Sequence, residues 1–153
     1  MCPAAREALL EADLGTAAAY GADTWTEHAI NAIRERFETD CQVHFTFNGT
    51  AANSLALASI CQSYHAVVAH RHSHVNTDEC GAPEFFSGGA KLLPVGGADG
   101  KIDVDEVDHL VQGRRDVHVS KPAVLSVTQS TEFGTVYSLP ELEAICETAN
   151  RHR

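Results

Sequence analysis

Three short stretches of the chain hold the residue types that do chemistry. The first is Asn48-Gly49-Thr50-Ala51-Ala52-Asn53. A glycine lets backbone approach an anion closely, and a threonine adds a hydroxyl donor. Free amides at a helix start favour negative charge, so a phosphate dianion suits this loop. The glycine spacing is neither that of a P-loop nor that of a Rossmann fingerprint. By itself the stretch reads more readily as a plain helix cap than as a phosphate site, with Asn48 as capping residue.

The second stretch is His70-Arg71-His72-Ser73-His74-Val75-Asn76-Thr77-Asp78-Glu79-Cys80-Gly81. Its three histidines alternate. On an extended strand His70, His72 and His74 would share one face and could hold a metal. A polar surface loop, or one imidazole doing ring stacking or proton transfer, are the other readings. The third stretch, Thr128-Gln129-Ser130-Thr131-Glu132-Phe133-Gly134-Thr135-Val136-Tyr137, is rich in hydroxyls and amides. It reads as a turn at Gly134 or as a loop facing a substrate.

These loops need a scaffold. Pro3 to Leu14 reads as a helix with Leu9 and Leu10 inward, stopped at Gly15. Thr24-Trp25-Thr26-Glu27 reads as a capping box, opening a helix with Trp25, Ala29, Ile33 and Phe37 on one face. Val43, Phe45 and Phe47 alternate, which predicts a strand over 43–47 running into Asn48. Ala51 to Gln62 reads as a buried apolar helix. Strands are expected at 66–69, 90–94 and 123–127. Helices are expected from Asp103, with Glu106 in its first turn, and from Ser138-Leu139-Pro140-Glu141. Strands alternating with helices predict an α/β fold with a mostly parallel sheet and flanking helices. In such folds ligands sit at the carboxyl ends of strands. The loops after Phe47, Ala69 and Val127 are the polar ones.

Composition narrows the function classes. The chain has 153 residues, 44% of them apolar, and a formal net charge of −10. No basic patch dominates, which argues against a nucleic-acid partner. Apolar runs fall well short of the roughly 20 residues that span a bilayer, so no membrane partner is expected. The five cysteines are odd in number and form no Cys-x-x-Cys, which points to a reducing, cytoplasmic compartment.

Taken in order, the motifs resemble those of the threonine aldolase and aromatic amino-acid β-eliminating lyase family. These are pyridoxal-phosphate enzymes of the aspartate-aminotransferase fold type. Tyr20-Gly21-Ala22-Asp23 looks like the family's Tyr-Gly-x-Asp element. Asn48 to Asn53 looks like its Ser-Gly-Thr-x-Ala-Asn phosphate loop, with Asn48 in place of Ser. His74, Glu79 and Gly81 look like its His-x-x-x-x-Glu-x-Gly element.

The resemblance implies a partial large domain of the PLP-transferase fold, with pyridoxal 5'-phosphate as cofactor. Asn48, Gly49 and Thr50 would bind the phosphate. His74 would stack on the ring and act as base, assisted by Glu79. Tyr20, Gln129 and Thr131 are substrate candidates. The parent would cleave L-threonine or related β-hydroxy amino acids to glycine and an aldehyde, and would be a homo-oligomer. Its partner is a small amino-acid substrate, and no metal is expected. Lys91, Lys101 and Lys121 are the only lysines, and none sits in the family's Ser-Lys-Gly-like context. Residues 1–153 are therefore expected to be an incomplete cofactor-binding domain, cut at both ends and without a second domain, that cannot catalyse the reaction alone. The rival readings are a metal module built on His70, His72 and His74, and a non-catalytic interaction domain on the same fold.

Overall fold

The computed structural model describes residues 1–13 and 15–152. They divide into two compact units, residues 1–45 and 46–153.

The first unit carries helices α1 (Pro3–Ala12) and α2 (Thr24–Phe37). Proline at the start of α1 suits a position that needs no amide donor. The helix closes at Ala12, and the expected terminus at Leu14 lies outside the described residues. Leu9 and Leu10 are exposed rather than inward. Asp23, not Thr24, caps α2. Its Oδ1 accepts from the Thr26 amide at 2.8 Å and its Oδ2 from the Thr26 hydroxyl at 2.7 Å. Thr24 already belongs to the helix. A carboxylate one residue earlier makes the stronger, charge-assisted cap. On the expected inner face, Ala29 and Ile33 are half-buried while Trp25 and Phe37 stay exposed.

The expected strand at 43–47 is absent. Alternation is only a strand signal if a neighbour takes the backbone groups. The described sheet holds three other strands, and Phe45 and Phe47 are exposed.

The second unit is built on that sheet. Its strands are β1 (His65–His70), β2 (Lys91–Val95) and β3 (Lys121–Ser126), in the order β2-β1-β3 and all parallel. In register, Val67 faces Leu92 on one side and Val124 on the other. The central strand is buried on both faces, as a continuous apolar run requires. Val67 and Ala69 pack with Leu57, Cys61, Val75 and Ala90. Ala66 and Val68 pack with Leu93, Val95, Ile102 and Val107. Period-2 alternation thus sends one half of β1 into each core.

Helix α3 (Gly49–Ile60) opens at Asn48 and covers the first face. It buries Ser54 and Leu57, whereas Leu55 and Ile60 are exposed, so the expected all-round burial is corrected. The expected polar loop at 70–81 is largely ordered. His70 ends β1, and α4 (His74–Thr77) is one helical turn anchored by buried Val75. Helix α5 (Ala82–Phe86) follows and lies against α3.

Strand β3 begins two residues before the expected Ala123. Pro122 has no amide to give a ladder, and an edge strand tolerates it. Helix α6 (Val104–Gln112) starts at Asp103 as expected, with the cap bond going to Asp105. Helix α7 (Leu139–Arg151) has the expected capping box between Ser138 and Glu141. It meets α6 where Arg151 and His152 both pair with Asp108.

Candidate active site

In the second unit the carboxyl ends of all three strands feed the polar loops. Two ends matter most. Beyond β1 stand His70, His72 and His74. Beyond β3 stands the loop from Thr128 to Tyr137.

The three histidines do not converge. His70 is buried, and its Nδ1 accepts from the His72 amide at 3.1 Å. Its Nε2 therefore carries the proton and donates to the Gly97 carbonyl at 3.3 Å. Both ring nitrogens are spent, so no lone pair remains for a metal. His72 packs its ring between His70 and Phe133, with centroids 5.5 and 5.3 Å away. His74 alone turns toward acids. Among the described residues no group of three or more His, Cys, Asp or Glu side chains is spaced to hold a metal ion. The shared face expected of an extended strand is lost because the chain turns after His70 and enters a helix at His74.

His74 is part-exposed and lies among carboxylates. Glu132 Oε1 is 3.4 Å from its Nδ1, and Asp78 Oδ2 is 3.7 Å from the same nitrogen. Glu79 Oε1 is 3.9 Å from Nε2. The Glu79 side chain is fully buried. Its Oε1 accepts from Asn53 Nδ2 at 2.6 Å, while Oε2 has no protein partner among the described residues. A buried carboxylate oxygen without a donor is costly, and Oε2 is an acceptor still to be satisfied.

Asn53 ties this cluster to the anion loop. It sits on α3, four residues past Gly49, or about 6 Å along the axis. At the start of α3, Asn48 Oδ1 accepts from the Ala51 amide at 2.8 Å, the expected cap. The Gly49 and Thr50 amides bond to no acceptor among the described residues. A Cβ built on Gly49 would meet nothing within 4 Å, so the space before it is open. An apolar hollow lined by Phe47, Thr50, Ala51, Ser54, Leu55 and Phe86 adjoins Asn48. Donors facing open space beside an apolar hollow fit a phosphorylated ring compound.

The weaker candidates divide. Gln129 Oε1 accepts from the Tyr137 amide at 2.9 Å. Thr131 is buried and its hydroxyl meets that of Thr135 at 2.7 Å. Both side chains are engaged inside their own loop. Tyr20 lies in the first unit, fully exposed with a left-handed φ of 63°. Two residues of the cluster escaped the sequence reading as site members. Asn53 stood inside the quoted phosphate-loop stretch, and its distance along the helix from Gly49 was the usable signal. Glu132 lay in the third stretch, but nothing in spacing joins it to His74.

Residues 1–153 match the beta-eliminating lyase family throughout. The chain belongs to that family. Its relatives include the low specificity L-threonine aldolase of Pseudomonas aeruginosa, 53% identical over 148 residues, covering 97% of this chain and 43% of the relative. The enzyme of the same name from another Pseudomonas strain is 51% identical with the same coverage. This chain thus spans less than half the length of the curated relatives it matches. The solved structure of Leishmania major threonine aldolase superposes with a TM-score of 0.91 at 30% identity, covering 99% of this chain and 44% of that one. The α/β architecture with its parallel sheet and flanking helices is that of the family.

Among the described residues no lysine of this beta-eliminating lyase chain pairs with His74, Glu79 or Glu132. Lys91 and Lys121 open β2 and β3 and pair with the start of β1, at the sheet edge opposite His70. Lys101 Nζ is held by Glu141 at 2.8 and 3.0 Å. That contact holds the Glu141 carboxyl at about 2, first through the lysine hydrogen bond and then through Ser138.

Proposed function

We propose that this chain supplies the phosphate-binding and proton-transfer half of a pyridoxal-phosphate-dependent aldolase that cleaves L-threonine and related β-hydroxy amino acids to glycine and an aldehyde. The observation that carries the reading is the Asn53–Glu79 hydrogen bond. It joins the helix whose first amides face open space to the acid beside His74.

Gly49 and Thr50 would hold the cofactor phosphate through their amides and the Thr50 hydroxyl, with Asn48 shaping the turn. His74 would present its ring face to the cofactor and its Nε2 to the substrate β-hydroxyl. A proton taken there leaves the oxygen to become the aldehyde carbonyl as the Cα–Cβ bond breaks. The cofactor, when bound, supplies the electron sink for that bond. Glu79, buried beside the ring, would assist His74 through the transfer. The substrate would be a small free amino acid.

In this reading the amine that anchors the cofactor is none of Lys91, Lys101 and Lys121, in keeping with Lys101 being held by Glu141 and Lys121 by the Arg114 carbonyl. The 153-residue chain alone is therefore expected to release no aldehyde from L-threonine. The longer parent would be a homo-oligomer in the cytoplasm, in keeping with five free cysteines and no helix among the described residues long and apolar enough to cross a membrane.

The test uses the chain itself. Pyridoxal 5'-phosphate titrated into labelled protein should shift the Gly49 and Thr50 amides and the His74 ring together in NMR spectra. Silence at Gly49 and Thr50 with millimolar cofactor would sink the reading. Aldehyde formed by the purified chain would sink the assignment of the missing amine.

A further inference from the structure

The third loop contributes a residue to His74 that no motif assigns. Of the three acids around that ring, Glu132 is the nearest, at 3.4 Å from Nδ1. Asp78 faces the same nitrogen from 3.7 Å, but its side chain is 79% exposed against 43% for Glu132. Both carboxylates are exposed, Asp78 the more so, and the more solvated one holds a neighbour the more weakly. Glu79 faces the other nitrogen at 3.9 Å, beyond hydrogen-bond reach, and its near oxygen is already taken by Asn53.

The loop that presents Glu132 is pinned on both sides. Before it, the Thr131 amide donates to the Thr135 carbonyl at 2.9 Å, and the Gly134 amide donates back to Thr131 at 2.8 Å. The Thr135 hydroxyl donates to the Asp99 carbonyl at 2.6 Å, tying the loop to the turn after β2. Gly100 leaves room for this packing, since a Cβ there would come within 3.1 Å of the Thr131 hydroxyl. After it, the Phe133 ring rests against His72, two residues before His74. Glu132 is thus held between two anchored neighbours, and one of them touches the segment that carries its target.

We infer that Glu132 is the positioning residue for His74: it takes the Nδ1 proton in a hydrogen bond, fixes the ring tautomer, and leaves Nε2 as the free base. A general base needs one nitrogen bare and the other beside an acceptor, and Glu132 Oε1 at 3.4 Å is the nearest acceptor to either ring nitrogen. Glu79 then serves as the buried acid tied to α3 rather than as the group that orients the ring. The inference rests on His74 as the base, and its test needs no cofactor. A failure of cofactor binding and a failure of this assignment are therefore separate results.

The test is the ring 15N spectrum of His74 in the 153-residue chain, at a pH of about 8.5, above the usual imidazole range. The wild-type ring should show the Nδ1–H tautomer. In Glu132→Ala the ratio should move toward Nε2–H by about fivefold, the size expected for one lost hydrogen bond. Glu132→Gln keeps an acceptor oxygen and should retain the wild-type tautomer. Asp78→Ala should retain it too. A wild-type ring already in the Nε2–H form overturns the proposal. So does an unmoved ratio in Glu132→Ala, or an equal movement in Asp78→Ala or Glu132→Gln. The amides of Thr131 and Thr135 should keep their positions in every variant, which separates a lost acceptor from a collapsed loop.

Discussion

Residues 1–45 and 46–153 are both rich in helix, yet only the second unit buries side chains. Among the described residues of the first unit no side chain is buried, and Leu9, Leu10 and Phe37 are open to solvent. In the second unit β1 drives two apolar cores, one on each face of the sheet. Helices in the first unit are set by local devices: a proline at N1, an aspartate cap, and a left-handed residue at Glu38. Those in the second have caps too, at Asn48, Asp103 and Ser138, and in addition bury side chains such as Leu57, Val107 and Ile145. Local devices shape a helix, but burial supplies most of its stability. The His74 cluster stands on the buried unit, where packed neighbours hold side chains in place.

Substitutions can break or sharpen that contrast. The largest effect is expected at Gly97. A Cβ there would lie 1.8 Å from the Lys101 carbonyl, at a φ of 144°, so Gly97→Ala should cost about 4 kcal/mol or more in urea unfolding. Gly49→Ala faces open space and should change stability by less than about 0.5 kcal/mol. Equal stability of the two variants would show that the second unit is not tightly built.

Next in size is the core. Val67→Ala should cost roughly 2 kcal/mol, by the transfer and cavity terms of a buried valine. Leu9→Ala in the first unit should fall within about 0.5 kcal/mol of zero. A Leu9 cost matching that of Val67 in parallel melts would erase the comparison.

Asn48→Ala removes the cap of α3 and should cost about 1 kcal/mol. It should also weaken cofactor-induced shifts at Gly49, which an isolated capping role would not do.

The smallest effect belongs to Glu141. Its folded carboxyl sits at about 2, below the ordinary value of 4.5, because Lys101 and Ser138 favour the charged form. A lowered folded value means the contribution is fully present above 4.5 and is lost as pH falls through about 2. Wild type should therefore be more stable than Glu141→Gln at neutral pH, and the gap should close only below 4.5. A gap that does not change with pH would show that the Lys101–Glu141 pair contributes nothing through charge.

The legible parts were those written in neighbouring residues. Asn48 before Gly49, Ser138 with Glu141, and the apolar run 66–69 each carry their instruction within a few positions. The reading failed where a partner far along the chain decides. Val43–Phe47 alternates like a strand, but no neighbouring strand takes its backbone groups. The alternation of His70, His72 and His74 carried only the rival metal reading, and a turn after His70 and the start of α4 at His74 break its period. Thr24 looked like a cap until the carboxylate one residue earlier took the amide.

The sequence by itself determined the family, the α/β order of elements, the helix cap at Asn48 and the candidacy of Asn48–Thr50, His74 and Glu79 as site residues. Each rests on residue types at short, fixed spacing, which chain geometry alone turns into structure. Only the tertiary structure decided which histidine faces acids, that Asn53 ties Glu79 to the anion loop, and that Glu132 stands nearest the Nδ1 of His74. Those contacts join separate loops across the carboxyl edge of a sheet. Their distances follow from how β1, β2 and β3 pack side by side, which no local spacing records.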